Sequence, residues 1–364
     1  MSTMVFHAPY PVVTGGTGSS ARPPRMLQAF RDLGYEVLDV VGTGAERSQR
    51  LRALRRRIED GARIDFAYGE SSTMPTLLTE SHHLPTHPLV DLELLRLMDR
   101  QGIPTGFFYR DVYWRFPAYD ASVPKLVGYG TKTLYHAELL LMARLVDRFY
   151  LPSDAMAAYV PHIDPRTARP LPPGGTIVDI PRAPRTDGTV TLLYVGNISE
   201  YYRMHALIEA VGRVDGVELI LCTPEGSWES VRREYEPLLS ESVEIVHRRG
   251  PELEPLFARA DVCTLVVEPA EYRDFAAPIK LYEYLGHGKP VLISAGTLAA
   301  STVTQAGFGW ETPYGTDDVA AALTRLREDP AGLESARRAV VEGRGDHTWT
   351  ARARQVADDL TSLR

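Results

Sequence analysis

A lysine and a glutamate three residues apart form the pair with the clearest chemical potential in this chain. Lys280 and Glu283 lie in a run that the sequence predicts as a helix beginning after Pro278 and ending before Gly288. At 100° per residue the two side chains share one helix face. A helix start that offers a cation, a carboxylate and free N–H groups suits a phosphorylated, hydroxyl-rich ligand. The alternative is a surface helix with an i,i+3 ion pair.

A second group of polar and aromatic residues follows an apolar strand predicted at 105–109. Arg110 and Asp111 would lie at the carboxyl end of this strand, where α/β sheets bind ligands. Asp111 could be the general base that deprotonates an acceptor hydroxyl, and Trp114 could stack on a sugar face. Alternatively, Arg110 and Arg115 hold Asp111 in a structural ion pair.

Histidines cluster in a predicted loop that includes His82 and His83. Adjacent histidines point apart and the chain has no D-x-D pattern, so the sequence predicts no metal site. These histidines either contact an acceptor or are ordinary loop residues. Cys222 and Cys263 lie in apolar strand-like runs and are expected to be buried, reduced thiols.

The elements that must position these residues alternate between short apolar strands and longer helical patterns, which predicts parallel sheets covered by helices. Strands are expected at 4–6, 36–41, 64–68, 105–109 and 148–151, and again at 190–195, 219–222, 243–246, 261–267 and 291–293. Prolines crowd residues 161–188 and predict a linker. Two doubly wound α/β domains follow, at 1–160 and 189–340, with a ligand cleft between the carboxyl ends of their sheets.

The segment 278–293 closely resembles the donor-binding segment of GT-B glycosyltransferases of the GT4-like group (glycosyl transferases group 1), in its K-x-x-E variant. The resemblance implies that Glu283 holds the nucleotide ribose and that Lys280, with the adjacent Leu281, helps to bind the diphosphate. It also implies that the terminal segment, 341–364, is a helix that crosses back to the first domain.

The same resemblance extends to the loop after the strand at 190–195. Gly196 allows close backbone approach, and the two places that usually hold basic residues carry Asn197 and Tyr202. Arg203, one residue further on, either reaches the phosphates or is an exposed arginine at a helix start. The resemblance places the nucleobase near Arg248.

Two further features bear on the reaction. The glycine-rich loop containing Gly16 would face the diphosphate and the acceptor in such an enzyme. Phe275 stands where the family has the first glutamate of a pair, and Asp111 where it often has a histidine. The family implies retention of anomeric configuration, whereas a carboxylate base at Asp111 suits inversion.

The sequence therefore predicts a GT-B glycosyltransferase that moves a sugar from a nucleotide-diphosphate donor to a glycan, lipid-linked or small-molecule acceptor, without metal or cofactor. The alternatives are a nucleotide-sugar epimerase and a non-catalytic nucleotide-sugar-binding protein. A net charge of −7 over 364 residues gives no reason to expect nucleic acid, and the absence of an apolar run or export signal indicates the cytoplasm. An arginine-rich helix, Arg47 to Arg57, is either a solvated face or a contact with an anionic membrane.

Overall fold

The structure is a computed structural model that describes residues 2–13, 18–181, 188–199, 202–269 and 277–364, with residues 18 and 19 described by their backbone alone. It divides into two compact units. Unit 1 comprises Met1–Pro173 and Trp349–Arg364, and unit 2 comprises Gly174–Thr348.

Unit 1 is built on a six-stranded parallel sheet with the strand order β2-β1-β3-β4-β5-β6. Its elements, in chain order, are β1 Thr3–Ala8, α1 Arg22–Asp32, β2 Glu36–Val41, α2 Gly44–Glu59, β3 Phe66–Glu70, α3 Val90–Arg100, β4 Thr105–Phe108, α4 Pro117–Ser122, α5 Lys125–Met142, β5 Arg148–Leu151, β6 Ala168–Pro170 and, after unit 2, α13 Trp349–Thr361.

Unit 2 has its own six-stranded parallel sheet, ordered β12-β11-β10-β7-β8-β9. Its elements are β7 Val190–Val195, α6 His205–Val211, β8 Val217–Cys222, α7 Glu225–Tyr235, β9 Val243–Val246, α8 Glu254–Arg259, β10 Val262–Leu265, α9 Ile279–Gly286, β11 Val291–Ser294, α10 Leu298–Gln305, β12 Gly309–Thr312, α11 Thr316–Glu328 and α12 Pro330–Gly343. The two sheets confirm the predicted α/β class with two doubly wound domains.

The strands form where the sequence has short apolar runs, because a strand covered on both faces buries every side chain. Every residue of β1, β3, β10 and β11 is buried. Both cysteines are free and buried, as predicted, and desolvation raises the pKa of each thiol.

The units divide at residues other than the predicted boundaries at 160 and 340. The proline-rich segment includes β6, which pairs with β5, so unit 1 continues to Pro173. The helix α12 stays with unit 2, whereas α13 belongs to unit 1 because Trp349, Val356 and Leu360 are buried in the same core as Phe30 of α1.

Strand order fixes where each unit is suited to hold a ligand. In unit 2 the chain proceeds from β7 to β8 and β9 on one side, and β10 then returns to pair with the other side of β7. In unit 1 the corresponding reversal lies between β1 and β3. Doubly wound sheets bind ligands at the carboxyl ends of the strands beside such a switch point. The residues that follow β7, β10, β1, β3 and β4 therefore lie where such sheets bind ligands.

Candidate functional site

Lys280, in the first turn of α9, is held at the carboxyl end of β7. Its Nζ donates a 2.6 Å hydrogen bond to the hydroxyl of Tyr194 and lies 4.5 Å from the centroid of that ring. The ring of Tyr202 lies 4.0 Å from the same ammonium. Two aromatic rings stabilise a cation through their quadrupoles and fix its position. The charge of Lys280 is therefore placed beside the switch point of unit 2.

Gly196 is required for this placement. It has φ +146°, and a Cβ built there would lie 2.1 Å from Cε and 2.4 Å from Nζ of Lys280. No side chain fits in that space without moving the lysine. Gly196 and Lys280, which were predicted from separate segments to bind the same ligand, are in contact in the structure.

The helix α9 is anchored to β7 by a buried tyrosine in its second turn. The hydroxyl of Tyr284 accepts a 2.9 Å hydrogen bond from the backbone N–H of Val195. Leu281 is completely buried, so only its backbone is available to a ligand. Glu283 is partly exposed and lies one turn after Lys280 in α9. His287 stacks on Phe257 at 3.8 Å, which makes it a packing residue rather than a ligand contact.

Arg203 lies beside the loop that follows β10. Its backbone carbonyl accepts hydrogen bonds from the N–H of Glu268 at 2.9 Å and from the hydroxyl of Tyr314 at 3.2 Å. Its Nε lies 3.9 Å from the Glu268 carboxylate, and its side chain is 43% exposed. Asn197 is exposed, and its carbonyl accepts a 2.7 Å hydrogen bond from the Tyr194 hydroxyl. Both residues thus lie at the carboxyl edge of the unit 2 sheet.

Arg248 follows β9, two strands from β7, and its side chain is exposed. Its carbonyl accepts a 3.5 Å hydrogen bond from the thiol of Cys222 at the end of β8. The adjacent His247 ring lies 2.7 Å from the carbonyl of Thr223. These contacts join the loops after β8 and β9, and they place Arg248 on the same edge as Lys280 but at its far side.

Asp111 lies just after β4 and is partly exposed. Its Oδ1 accepts a 2.6 Å hydrogen bond from the backbone N–H of Tyr113, which fixes the carboxylate. Burial, and to a smaller extent the charge of Asp111, raises the pKa of the Tyr109 and Tyr135 hydroxyls. These two tyrosines therefore stay protonated, and Asp111 is the partly exposed carboxylate at this strand end.

The predicted role of Trp114 in stacking on a sugar needs correction, because the side chain is only 3% exposed. Its ring stacks on Tyr135 with centroids 4.8 Å apart and an interplanar angle of 6°, and its Nε1 donates to the Tyr109 hydroxyl at 3.0 Å. A sequence pattern that predicts a ligand-binding aromatic residue also fits an aromatic residue that is buried in the core. Trp114 is therefore a buried residue that packs against Tyr135.

Sequence reasoning did not identify Glu70, which is fully buried at the end of β3. Arg22 and Arg110 flank it at 3.3 and 3.6 Å, and Tyr10 accepts a 2.8 Å hydrogen bond from Arg110. A glutamate that ends an apolar strand beside the switch point was the available signal. The guanidinium of Arg110 is therefore positioned by Tyr10 and Glu70, which are far from it in the sequence.

The remaining predicted residues lie outside these groups. His82 and His83 are exposed in the loop after β3, and their ring nitrogens contact local backbone groups of Leu84 and Leu78. Within the described ranges no three His, Cys, Asp or Glu side chains are grouped as metal ligands would be. Gly16 falls outside the described residues.

The arginine-rich helix α2 presents less positive charge than its sequence suggested. Arg47 is buried and pairs with Asp91 at 3.0 Å, so it cannot face a membrane. Three further arginines of this helix are paired with Asp39, Glu93 and Glu36; they are Arg50, Arg55 and Arg57. Among the described residues no helix is long and apolar enough to cross a bilayer.

Comparison with known proteins agrees with this geometry. Residues 189–329 match the family model described as glycosyl transferases group 1. Anabaena HepE in complex with UDP-glucose is similar over 99% of this chain and 100% of its own, with 15% identity and a TM-score of 0.64. Sucrose-phosphate synthase from Thermosynechococcus elongatus is similar over 100% and 99%, with 15% identity and a TM-score of 0.63.

A putative UDP-N-acetylglucosamine 2-epimerase from Listeria monocytogenes is more distant, with 12% identity, a TM-score of 0.52 and coverage of 100% and 97%. A comparison with curated proteins finds no match. At these identities the solved structures establish the fold, whereas the family match identifies the domain that carries Gly196 and Lys280. The chain has the GT-B fold of these solved structures, and its residues 189–329 match the family model of glycosyl transferases group 1.

Proposed function

We propose that this protein transfers a sugar from a nucleoside-diphosphate sugar to an acceptor hydroxyl, without a metal ion and with retention of anomeric configuration. The observation that carries the proposal is the position of Lys280 against Tyr194 and Gly196 at the unit 2 switch point. The glycine admits the ammonium to the end of β7, and a cation fixed at that place can bind a diphosphate. The UDP-glucose bound by HepE supports a uridine nucleotide as the first donor to test.

The donor would bind along the carboxyl edge of the unit 2 sheet. Lys280 and the N–H groups at the start of α9 would neutralise the diphosphate, and the long side chain of Arg203 would reach it from the loop before α6. Glu283 would accept hydrogen bonds from the ribose hydroxyls, and the backbone near Arg248 would contact the base. Stabilising the departing diphosphate with fixed positive charge lowers the barrier to glycosyl transfer without a metal ion.

The acceptor would bind to unit 1. Asp111 would accept a hydrogen bond from the attacking hydroxyl. Because the backbone N–H of Tyr113 fixes the carboxylate, this hydrogen bond would also orient the hydroxyl. Arg110 would contact the acceptor beside it, and the exposed loop of His82 and His83 is available to a larger glycan. We place the reaction in the cytoplasm, in the assembly of a glycan, a lipid-linked sugar or a glycosylated small molecule.

Two other reactions deserve a direct test. If Asp111 removes the proton rather than orienting the hydroxyl, transfer proceeds with inversion, and the partial exposure of this carboxylate favours that alternative. The GT-B fold also occurs in the Listeria protein named as an epimerase, which would need no acceptor. Proton NMR of the anomeric centre separates retention from inversion, and epimerised free donor without acceptor identifies an epimerase.

The proposal is tested first by nucleotide binding. UDP, GDP, dTDP and ADP sugars should be compared by thermal shift and calorimetry with the wild-type protein, Lys280→Ala and the matched control Lys125→Ala. Lys125 starts α5 in unit 1 and is exposed. We expect one nucleotide class to stabilise the wild type and the control but not Lys280→Ala. If no nucleotide binds, or if Lys280→Ala binds as well as the wild type, the donor site is wrongly placed.

A further inference from the structure

Three charged side chains meet under the carboxyl edge of the unit 1 sheet. Glu70 is fully buried, Arg22 is 3% exposed, and the side chain of Arg110 is 12% exposed. Two guanidinium groups therefore share one carboxylate, and the formal charge of the cluster is +1. A buried charge without full compensation is costly, so the imbalance needs a physical reason.

Arg22 is already occupied by the protein. Its Nη1 donates to the carbonyls of Leu171 and Pro172 at 3.2 and 3.4 Å, and its guanidinium lies 3.5 Å from the centroid of the Phe108 ring. Its Nε lies 3.3 Å from Oε1 of Glu70. Arg22 thus compensates Glu70 and ties the end of β6 to the sheet, which makes it structural.

Arg110 is held differently. Its backbone N–H donates to the Ser71 hydroxyl at 2.9 Å, and its Nη2 donates to the Tyr10 hydroxyl at 2.8 Å. Its separation from Oε2 of Glu70, 3.6 Å, exceeds that of a direct hydrogen bond. Among the described residues, Nε of Arg110 and Oε2 of Glu70 are both buried and have no hydrogen-bond partner. The guanidinium is therefore oriented by Tyr10 and Glu70 while it retains donor capacity.

We propose that Arg110, oriented by Tyr10 and Glu70, binds an oxyanion, and that the acceptor carries this negative charge beside the hydroxyl that is glycosylated. The planar fork of a guanidinium matches a carboxylate or a phosphate through two parallel hydrogen bonds. Asp111 is the next residue, so an anion on Arg110 would bring the acceptor to the proposed hydroxyl contact. The acceptor class is then an acidic sugar or a sugar phosphate. Assigning the anion to the acceptor rests on the proposed function, whereas anion binding itself does not.

The test measures anion binding directly on the full chain. The Nε–Hε NMR signal of Arg110, assigned by its loss in Arg110→Lys, should be followed during titration with glucuronate, glucose 6-phosphate and neutral glucose. We expect a saturable shift with one or both charged sugars and none with glucose. The carboxylate and phosphate arms identify which oxyanion the site prefers.

Variants then attribute the binding. Arg110→Gln should lower the affinity for the charged sugar about tenfold or more, which corresponds to about 1.4 kcal/mol. Arg115 is an exposed arginine five residues later, and Arg115→Gln should leave this affinity unchanged. Tyr10→Phe keeps the charge of Arg110 and removes the hydroxyl that orients it, so it should weaken binding by less than Arg110→Gln does. If Arg110→Gln does not fold, Tyr10→Phe tests the proposal in its place.

The proposal is overturned if charged and neutral sugars behave alike, or if Arg110→Gln and Tyr10→Phe both bind the charged sugar with wild-type affinity. A parallel titration with UDP, GDP, dTDP and ADP sugars reports on the unit 2 donor site. Failure of all four to bind would contradict the proposed function, whereas failure of the anion to bind contradicts this inference, so the two outcomes are distinguishable.

Discussion

Replacing Gly196 with alanine tests whether the glycine exists to admit Lys280. The new Cβ would lie 2.1 Å from Cε and 2.4 Å from Nζ of the lysine, so the ammonium must leave its place between Tyr194 and Tyr202. A charge-assisted hydrogen bond is worth about 1.5–3 kcal/mol, so we expect nucleotide binding to weaken roughly 10- to 150-fold. Isothermal calorimetry with UDP or the nucleotide found by screening measures this change.

The substitution also strains the backbone, because φ +146° is unfavourable for alanine, at a cost of about 1–3 kcal/mol. Gly188 provides the matched control. It also has positive φ, +70°, but a Cβ there meets no atom within 4 Å. Gly188→Ala should therefore lower stability without weakening nucleotide binding, and thermal unfolding of both variants separates strain from displacement.

A double-mutant cycle completes the test. If Gly196→Ala acts by displacing Lys280, adding it to Lys280→Ala should change the affinity little further, because the interaction has already been removed. Wild-type affinity in Gly196→Ala, or an equal loss in Gly188→Ala, would refute the reasoning.

Four further predictions address other residues. Glu283→Gln should weaken nucleotide binding while leaving the unfolding temperature near that of the wild type; an unfolded variant would show that Glu283 is structural. Asp111→Asn should lower kcat by about 10²- to 10⁴-fold with unchanged UDP affinity, and full activity would exclude Asp111 from the reaction. Trp114→Ala should destabilise unit 1 by about 3–5 kcal/mol in denaturant unfolding, because the ring is buried; normal stability with a raised acceptor KM would restore the stacking role. Burial raises the pKa of Glu138, in α5, to about 7, above its unfolded value of 4.5. Between these two values the folded state holds a proton that the unfolded state has lost, so the free energy of unfolding should fall as pH rises from about 4.5 to 7. Denaturant unfolding at both ends of this range should show a smaller fall for Glu138→Gln, and identical pH dependence would contradict the shift.

The alternation of apolar strands and helical patterns in the sequence was enough to predict two doubly wound domains, because side-chain period and strand burial are local properties. Lys280 and Glu283 were assigned to one helix face for the same reason. The boundaries were less accessible. β6 lies in a proline-rich segment, and it becomes a strand only because it pairs with β5 at the edge of the sheet.

Long-range contacts decided the rest. No spacing rule joins Gly196 to Lys280. Tertiary packing nevertheless places the Lys280 side chain in the space that a Cβ of residue 196 would occupy. Trp114 and Asp111 are only three residues apart in sequence, yet Trp114 is buried in the core and Asp111 is partly exposed. Likewise Arg22, Glu70 and Arg110 converge from three segments, so their shared charge exists only in the folded chain. The sequence determined which residue types lie at strand ends, and the tertiary structure decided which of them remain available to a ligand, because packing consumes some side chains and orients others.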